Sequence, residues 1–503
     1  MRKFFSEIAL QLNPNDNVAI AKEELAPETR VAMPGGNALM IRECVPSGHK
    51  FALREIAAGA PVLRYGYRIG VATQNILPGD WVHSHNLVVG DFATGYAYRV
   101  VPVPPPVSSR QAFLGYRRAD GRVGTRNYVA VIATANCAAH TALQIARAFD
   151  HNRLADFPNV DGVIPIVHTG GCSNVIGSLA HRYLQRTLAN VAHHPNIGAA
   201  IVVGLGCEEN QAAECFDLTT LPGLVIQEQG GFRKTIQAGV QAVEHALARV
   251  NACARTPQPI SELTIALQCG GSDSWSGVTA NPLVGLVMDK IVAQGGTAVL
   301  SETPEVFGAD QLLLQRVASE ETGQELIARF QWWIEQSQRL GFSVDNNPTP
   351  GNKAGGLTTI LEKSLGAVAK GGSTPLIATY EYAEMIARRG FVFMDTPGND
   401  PVSVTGQLAG GCNAIVFTTG RGSLYASNIA PCVKVASNNA LYARMGDDMD
   451  FNAGRILGGA SPDGLAEELL TQIIAVASGE RTKSEQRGLP ETEFVPWMPG
   501  VVV

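Results

Sequence analysis

The chain has 503 residues, 45% of them hydrophobic and 17% charged, enough to build two or three packed domains. A net charge of -6 with no long Lys/Arg run argues against nucleic acid as a partner, because phosphate binding needs clustered cations. Nine cysteines, an odd count with no C-x-x-C pair, do not make a disulfide framework and are expected to be reduced thiols or ligands.

The N-terminal MRKFFSEIALQLN carries two cations, but Ser6, Glu7 and Gln11 interrupt any apolar h-region, and no later segment approaches about 18 apolar residues. A cytoplasmic protein with no membrane partner is the expectation. Residues 1–100 read as short strands with turn punctuation (KFALREI, VLRYGYRIGVAT, WVHSHNLVV), a small all-β module. VPVPPPVSSR, residues 101–110, lacks a hydrophobic period and reads as a Pro-rich linker. This linkage suggests a first domain that moves as a lid.

From 111 the pattern changes to apolar runs alternating with amphipathic helices, which predicts α/β domains with largely parallel sheets. In a central domain, residues 111–255, the strands are VAVIATANC, VIPIVHTGGC and AAIVVGLGC; Leu179, Leu184, Leu188 and Val191 stripe one helix. The C-terminal domain, 256–503, begins with LTIALQCGG. It continues through strands TAVLSE, FVFMDT, NAIVFTTG and CVKVAS to a last helix started by Ser461 and Pro462.

Cys137, Cys172 and Cys207 recur at intervals of 35 residues, each closing a strand before a helix, and Cys269 ends a fourth strand in the same way. Carboxyl ends of parallel strands line the ligand crevice of an open α/β sheet, so these thiols are candidate ligands for zinc or an iron–sulfur cluster, although such sites usually show tighter local pairs and the spacing supports the fold more than a cluster. Small buried cysteines beside strand-end glycines would give the same pattern. His83 and His85, placed at a strand end, would share one face and could grip a metal ion, or simply lie on a partly exposed edge. His168, in VHTGGC, is the candidate acid/base; all ten histidines lie at or before position 245.

Glycine-rich polar loops recur at 121–127, 204–210, 269–277, 348–356 and 396–401. In them Arg122, Arg126, Asn127 and Lys353 are candidates for holding a carboxylate or hydroxyls, and Lys353 also for catalysis. GLGCEEN follows a strand as a dinucleotide fingerprint would, but Glu209 occupies the third glycine position and no P-loop occurs.

GYRRADGRVGTRNYVAVIATANC, VVGLGCEENQ, LQCGGSDSWSGVTANP, NPTPGNKAGGLTTILEKSLG and MDTPGNDPVSVTGQLAGGCN together resemble the altronate and galactarate dehydratase family over nearly the whole chain. The resemblance implies an N-terminal SAF-like β-clip domain from GHKFALREI through VHSHNL. It also implies dehydration of a six-carbon sugar acid to a 2-keto-3-deoxy acid. The implied cofactor is a divalent metal, iron(II) first and manganese second; an iron–sulfur cluster on Cys137, Cys172, Cys207 or Cys269 is the competing model, read from the cysteines themselves. His83 and His85 match the altronate-type pattern, which puts altronate ahead of galactarate or another hydroxy-acid lyase substrate. The expected partner is a small sugar acid, with self-association into a homo-oligomer; a non-catalytic sugar-acid-binding protein is the reading of a different class.

Overall fold

The computed structural model describes residues 2–34, 36–90, 96–107, 111–488 and 490–500. The first ninety residues form three small sheets of three, four and three strands; Ile8, Ala19, Val31, Ile41 and Phe51 make a core of their own, while Val62, Ile69, Ala72 and Leu87 of the third sheet join the core of the C-terminal domain. VLRYGYRIGVAT, read as one strand, is a hairpin: Pro61–Arg64 pairs antiparallel with Tyr67–Ala72. Tyr65 and Gly66 turn it, with φ of 61° and 78°, the two left-handed positions of a two-residue loop.

Of the expected linker, residues 108–110 lie outside the described residues. The preceding stretch is not free: Val101 N donates to Val317 O and Val107 N to Ala293 O, stitching it to the C-terminal region.

The central domain is a parallel sheet of β1 (Tyr128–Ala133), β2 (Gly162–Ile166), β3 (Ile197–Gly204) and β4 (Gly223–Val225), in the order β2-β1-β3-β4. Helices α1 (Asn136–Arg147), α2 (Leu179–Ala192) and α3 (Phe232–Asn251) cover it. Ser178 caps α2, its hydroxyl accepting from His181 N at 3.2 Å.

The C-terminal domain is a seven-stranded all-parallel sheet. Its strands are β5 (Thr264–Cys269), β6 (Thr297–Leu300), β7 (Leu376–Tyr380), β8 (Phe391–Met394), β9 (Ala414–Thr419), β10 (Cys432–Ala436) and β11 (Phe451–Asn452). They lie in the order β7-β8-β6-β5-β9-β10-β11. Alternate residues face opposite layers. Ile265, Leu267, Leu300 and Val416 pack on α4 (Ala280–Ala293) and the helix Pro462–Ala477. Ala266, Val299, Ile415 and Phe417 pack on α6 (Asp400–Ala409) and, beyond it, on Tyr183, Leu184 and Leu188 of α2.

The two α/β domains therefore share a core through α2 and α6. These helices run side by side in the same direction. Tyr183 near the start of α2 packs at a tilt against Tyr382, whose hydroxyl donates to Val402 O near the start of α6. His194, just past α2, donates to Cys412 O, just past α6, at 2.9 Å. Helices in such folds run opposite to the strands they cover, so the carboxyl edges of both sheets open on the same side of the molecule.

Candidate functional site

The crossovers of the large sheet reverse at β5: β6 lies on one side of it and β9 on the other. In open α/β sheets the ligand crevice forms at that reversal, outside the carboxyl ends. There the chain brings together Cys269, Glu302, Glu305, Lys363, Lys370 and Asp400 from four separate segments.

Cys269 is the last residue of β5. Its thiol lies 3.7 Å from Glu302 Oε2 and 3.6 Å from Glu305 Oε2, and the three donors fall within 4.8 Å of one another. Glu302 sits just past β6 in the left-handed region (φ 66°), a costly backbone for a glutamate, and Glu305 ends the short turn Thr303–Glu305. Lys370 Nζ donates to Glu302 Oε2 at 2.9 Å. Lys363 Nζ, on α5 (Ile360–Val368), donates to Glu305 Oε1 at 2.7 Å and to Asn347 Oδ1 at 2.9 Å. Asp400, the first residue of α6, closes in on Gly270, where a Cβ would meet its Oδ2 at 2.2 Å. Glu302 Oε1 is buried with no hydrogen-bond partner among the described residues.

Taking these carboxylates out of water raises their proton affinity. Burial, reinforced by Glu305 and opposed by Lys370, pushes Glu302 up to about 7. Burial together with the Glu302 and Glu305 charges pushes Asp400 up to about 8. Burial and Glu302 also hold Cys269 as a thiol. Two carboxyl groups are thereby poised near neutrality beside two ammonium groups, the situation in which one fold supplies both acid and base.

The N-terminal β domain covers this region. Lys50 and Arg64, both buried, converge on Glu362 of α5, one residue before Lys363; Lys50 Nζ lies 2.9 Å from it, and Arg64 also donates to Ser274 O at 2.7 Å. His83 is not on a strand: Trp81–Val82 ends before it, and residues 83–86 form a turn closed by Asn86 N donating to His83 O at 3.0 Å. The two-residue strand period therefore does not align His83 with His85. The rings of both contact Trp81, with His83 buried and His85 exposed. His83 Nε2–H donates to Lys353 O at 2.9 Å, and its Nδ1 accepts from Ser84 Oγ at 3.0 Å. Lys353 is anchored by its carbonyl, while its ammonium forms no hydrogen bond or ion pair with the described residues.

In the central domain, Cys137, Cys172 and Cys207 do come to the carboxyl edge, all exposed, with Cys137 Sγ 3.6 Å from Cys172 Sγ. His168 lies beneath them but is spent on the backbone. Its Nε2–H donates to Ala133 O at 3.0 Å, its Nδ1 accepts from Gly170 N at 3.2 Å, and burial lowers it to about 4. The GRVGTRN residues stand at the opposite, amino edge. Arg126 makes a buried two-pronged pair with Glu485 (2.7 and 2.8 Å). Asn127 ties Asn159 O and Val250 O, and exposed Arg122 pairs with Asp120. Glycine there serves close backbone packing, not a ligand. The exposed Arg122 pair is worth about 0–1 kcal/mol, so Arg122→Ala is expected to leave KM and the urea midpoint near wild type.

Sequence reasoning missed Glu302, Glu305, Lys363, Lys370 and Asp400. The available signal was positional: SETPE directly follows the strand TAVL, and TPGND leads from FVFM into a helix.

Three family models match in succession: an altronate/galactarate dehydratase SAF domain over residues 7–90, a D-galactarate dehydratase/altronate hydrolase second domain over 115–251, and a D-galactarate/altronate dehydratase C-terminal domain over 260–502. The chain is 36% identical to altronate dehydratase of Escherichia coli (strain K12), across 96% of this chain and 97% of that one. It is 33% identical to altronate dehydratase of Bacillus subtilis (strain 168), across 96% and 97%. To galactarate dehydratase (L-threo-forming) of Escherichia coli (strain K12) it is 35% identical, across 95% of each chain.

Proposed function

The chain belongs to the altronate/galactarate dehydratase family, and from that premise we propose that it is a hydro-lyase removing water from a six-carbon sugar acid, D-altronate first, to give a 2-keto-3-deoxy acid. The observation that carries the chemistry is the pair of raised carboxyl groups, Glu302 and Asp400, set beside Lys363 and Lys370 at the reversal of the large sheet. The 35% identity to the galactarate enzyme supports galactarate as the second substrate to try.

Removing the proton beside a carboxylate builds an ene-diolate, so the site needs cations at the carboxylate and a base at C2. In this reading Lys363 and Lys370 hold the substrate carboxylate, and Glu302, through its unpartnered Oε1, accepts the C2 proton. The C2–H electron pair becomes the C2=C3 bond as the C3–O bond breaks, and the hydroxyl leaves as water with the Asp400 proton. The enol then takes a solvent proton at C3. Lys353 is proposed at the mouth of the site, its free ammonium meeting substrate hydroxyls. Glu302, Glu305 and Lys370 are at most 2% exposed, so the segments around them part to admit substrate.

The divalent ion implied by the resemblance does not fit at His83. Both His83 nitrogens are hydrogen-bonded, and among the described residues no histidine joins a three-donor group. The Cys269–Glu302–Glu305 group has the donors. Lys370 and Lys363 already balance its two carboxylates, so a dication held there would be balanced by ionised Asp400 and Cys269, and it would supply Lewis acidity beside the substrate oxygens. No step is drawn through such an ion.

The proposal places the enzyme in the cytoplasm and as a homo-oligomer; no described helix is long and apolar enough to cross a membrane. The test is an anaerobic assay on altronate and galactarate side by side, following 2-keto-3-deoxy acid. Product from altronate supports the reading. Thermal stabilisation by both acids without product would establish a binding protein instead.

A further inference from the structure

We propose that Cys137, Cys172 and Cys207 are the three protein ligands of an iron–sulfur cluster on the carboxyl edge of the central sheet. Each thiol follows a different strand, and the order β2-β1-β3 places Cys137 between the other two. The loops that carry them are tied together. Glu209 N donates to Cys172 O at 3.4 Å, Asn210 N to Gly171 O at 3.1 Å, and Asn174 N to Glu209 Oε2 at 3.0 Å.

Each loop is also fixed from below. His168 Nδ1 accepts from Gly170 N, and Asn210 Nδ2 donates to Thr134 O at 2.7 Å. Glu208 accepts from Leu205 N, Gly206 N and the Thr134 hydroxyl, which braces the turn bearing Cys207. Gly171, at φ 92°, passes so close to Thr134 O that a Cβ would come to 2.5 Å. Three exposed thiols thus stand on a rigid, buried hydrogen-bond frame.

Three alternatives fit less well. A disulfide would consume two thiols and leave the third unexplained. A single nucleophilic thiol would leave the other two unexplained. A single tetrahedral ion, with metal–sulfur bonds near 2.3 Å, would draw all its sulfurs to about 3.8 Å apart. Cys137 and Cys172 meet that spacing, but the three sulfurs do not all lie within 4.8 Å of one another, so the set as it stands is not gathered round one ion. Three thiolates would leave one iron of a four-iron cluster without a protein ligand. That iron could take an oxygen of the sugar acid. The site stands on the thiol geometry alone, and only this last role rests on the dehydratase reading.

The test uses the full chain purified anaerobically, and again after incubation with ferrous and ferric salts and sulfide, measuring iron, acid-labile sulfide and visible absorption. Brown protein with labile sulfide is expected. Cys137→Ser, Cys172→Ser and Cys207→Ser should each lose most of the sulfide and the colour, while Cys269→Ser and Cys215→Ser keep both; far-ultraviolet circular dichroism checks that each variant is folded. No labile sulfide in the wild type under either condition, bound zinc in its place, or sulfide that survives in the three variants or leaves with Cys269→Ser would each overturn the assignment. Turnover without sulfide would retain the enzyme reading and remove the cluster, and sulfide without turnover would do the reverse.

Discussion

Glu302→Gln lowers kcat for sugar-acid dehydration by about 100- to 10,000-fold, the range that a positioned acid or base supplies, with protein of near wild-type fold. The amide keeps the shape and the Lys370 contact but cannot take a proton. Asp400→Asn is expected to fall in the same range for the opposite reason, since it has no proton to give the departing hydroxyl. The signs fix the pH profile. Glu302, held up to about 7, must be ionised to act, so activity rises as pH passes that value. Asp400, held up to about 8, must be protonated to act, so activity falls as pH passes that value. A narrow bell between the two limbs is the result; loss of the alkaline limb in Asp400→Asn and of the acid limb in Glu302→Gln, measured on the residual rates, would assign them. A profile unchanged in both variants would remove these residues from the proton transfers.

Glu362→Gln is expected to cost about 3–5 kcal/mol, because it leaves two buried cations without their shared carboxylate. Lys50 and Arg64 belong to the N-terminal β domain and Glu362 to α5, so this triad locks the first domain onto the third. Urea unfolding should show either a lower midpoint or an early transition reporting release of the β domain, with Trp81 emission as the local probe. Burial alone would raise the Glu362 carboxyl, but Lys50 and Arg64 outweigh it and hold it at about 2, against an ordinary 4.5. A depressed carboxyl contributes stability that is present above the unfolded value and lost as pH falls through the folded one. Wild-type stability should therefore decline between about 4.5 and 2, and the variant should lose that part of the decline. Equal midpoints near neutral pH would contradict the lock.

The lock also bears on how the first domain behaves. The sequence suggested a lid on a Pro-rich tether, yet the tether is hydrogen-bonded to residues 293 and 317 and the domain is ion-paired through three buried charges. Access to Glu302 therefore requires more local movement, in the segment that carries Asn347 and Lys353.

The α/β architecture was legible because buried parallel strands leave continuous apolar runs such as VAVIA and AIVF, and because Ser461 marks a helix start. The three thiols were legible because a regular strand–helix repeat carries each to the same edge. The histidine pair was misplaced for a local reason: the strand holding Trp81 is two residues long and turns at His83, so alternation says nothing about His85. Arg126 looked like an anion ligand because its loop is rich in glycine, but a buried arginine beside Glu485 satisfies the same composition. The charged cluster left no compact motif, since Cys269, Glu302, Lys363 and Asp400 are joined only by the order in which crossovers return to one sheet edge. The loop TPGND was already marked by its proline and glycine, whereas only the rule that ligand groups gather past strand ends could have singled out SETPE.

The central claim is elimination at C2 and C3 driven from the Glu302–Asp400 pair, and dehydration of altronate in deuterium oxide tests it most directly. The account predicts a 2-keto-3-deoxy acid with one deuterium at C3 from the wild type, and a severe loss of that product in Glu302→Gln. Deuterated product formed by Glu302→Gln at the wild-type rate, or a wild-type product without deuterium at C3, would contradict it.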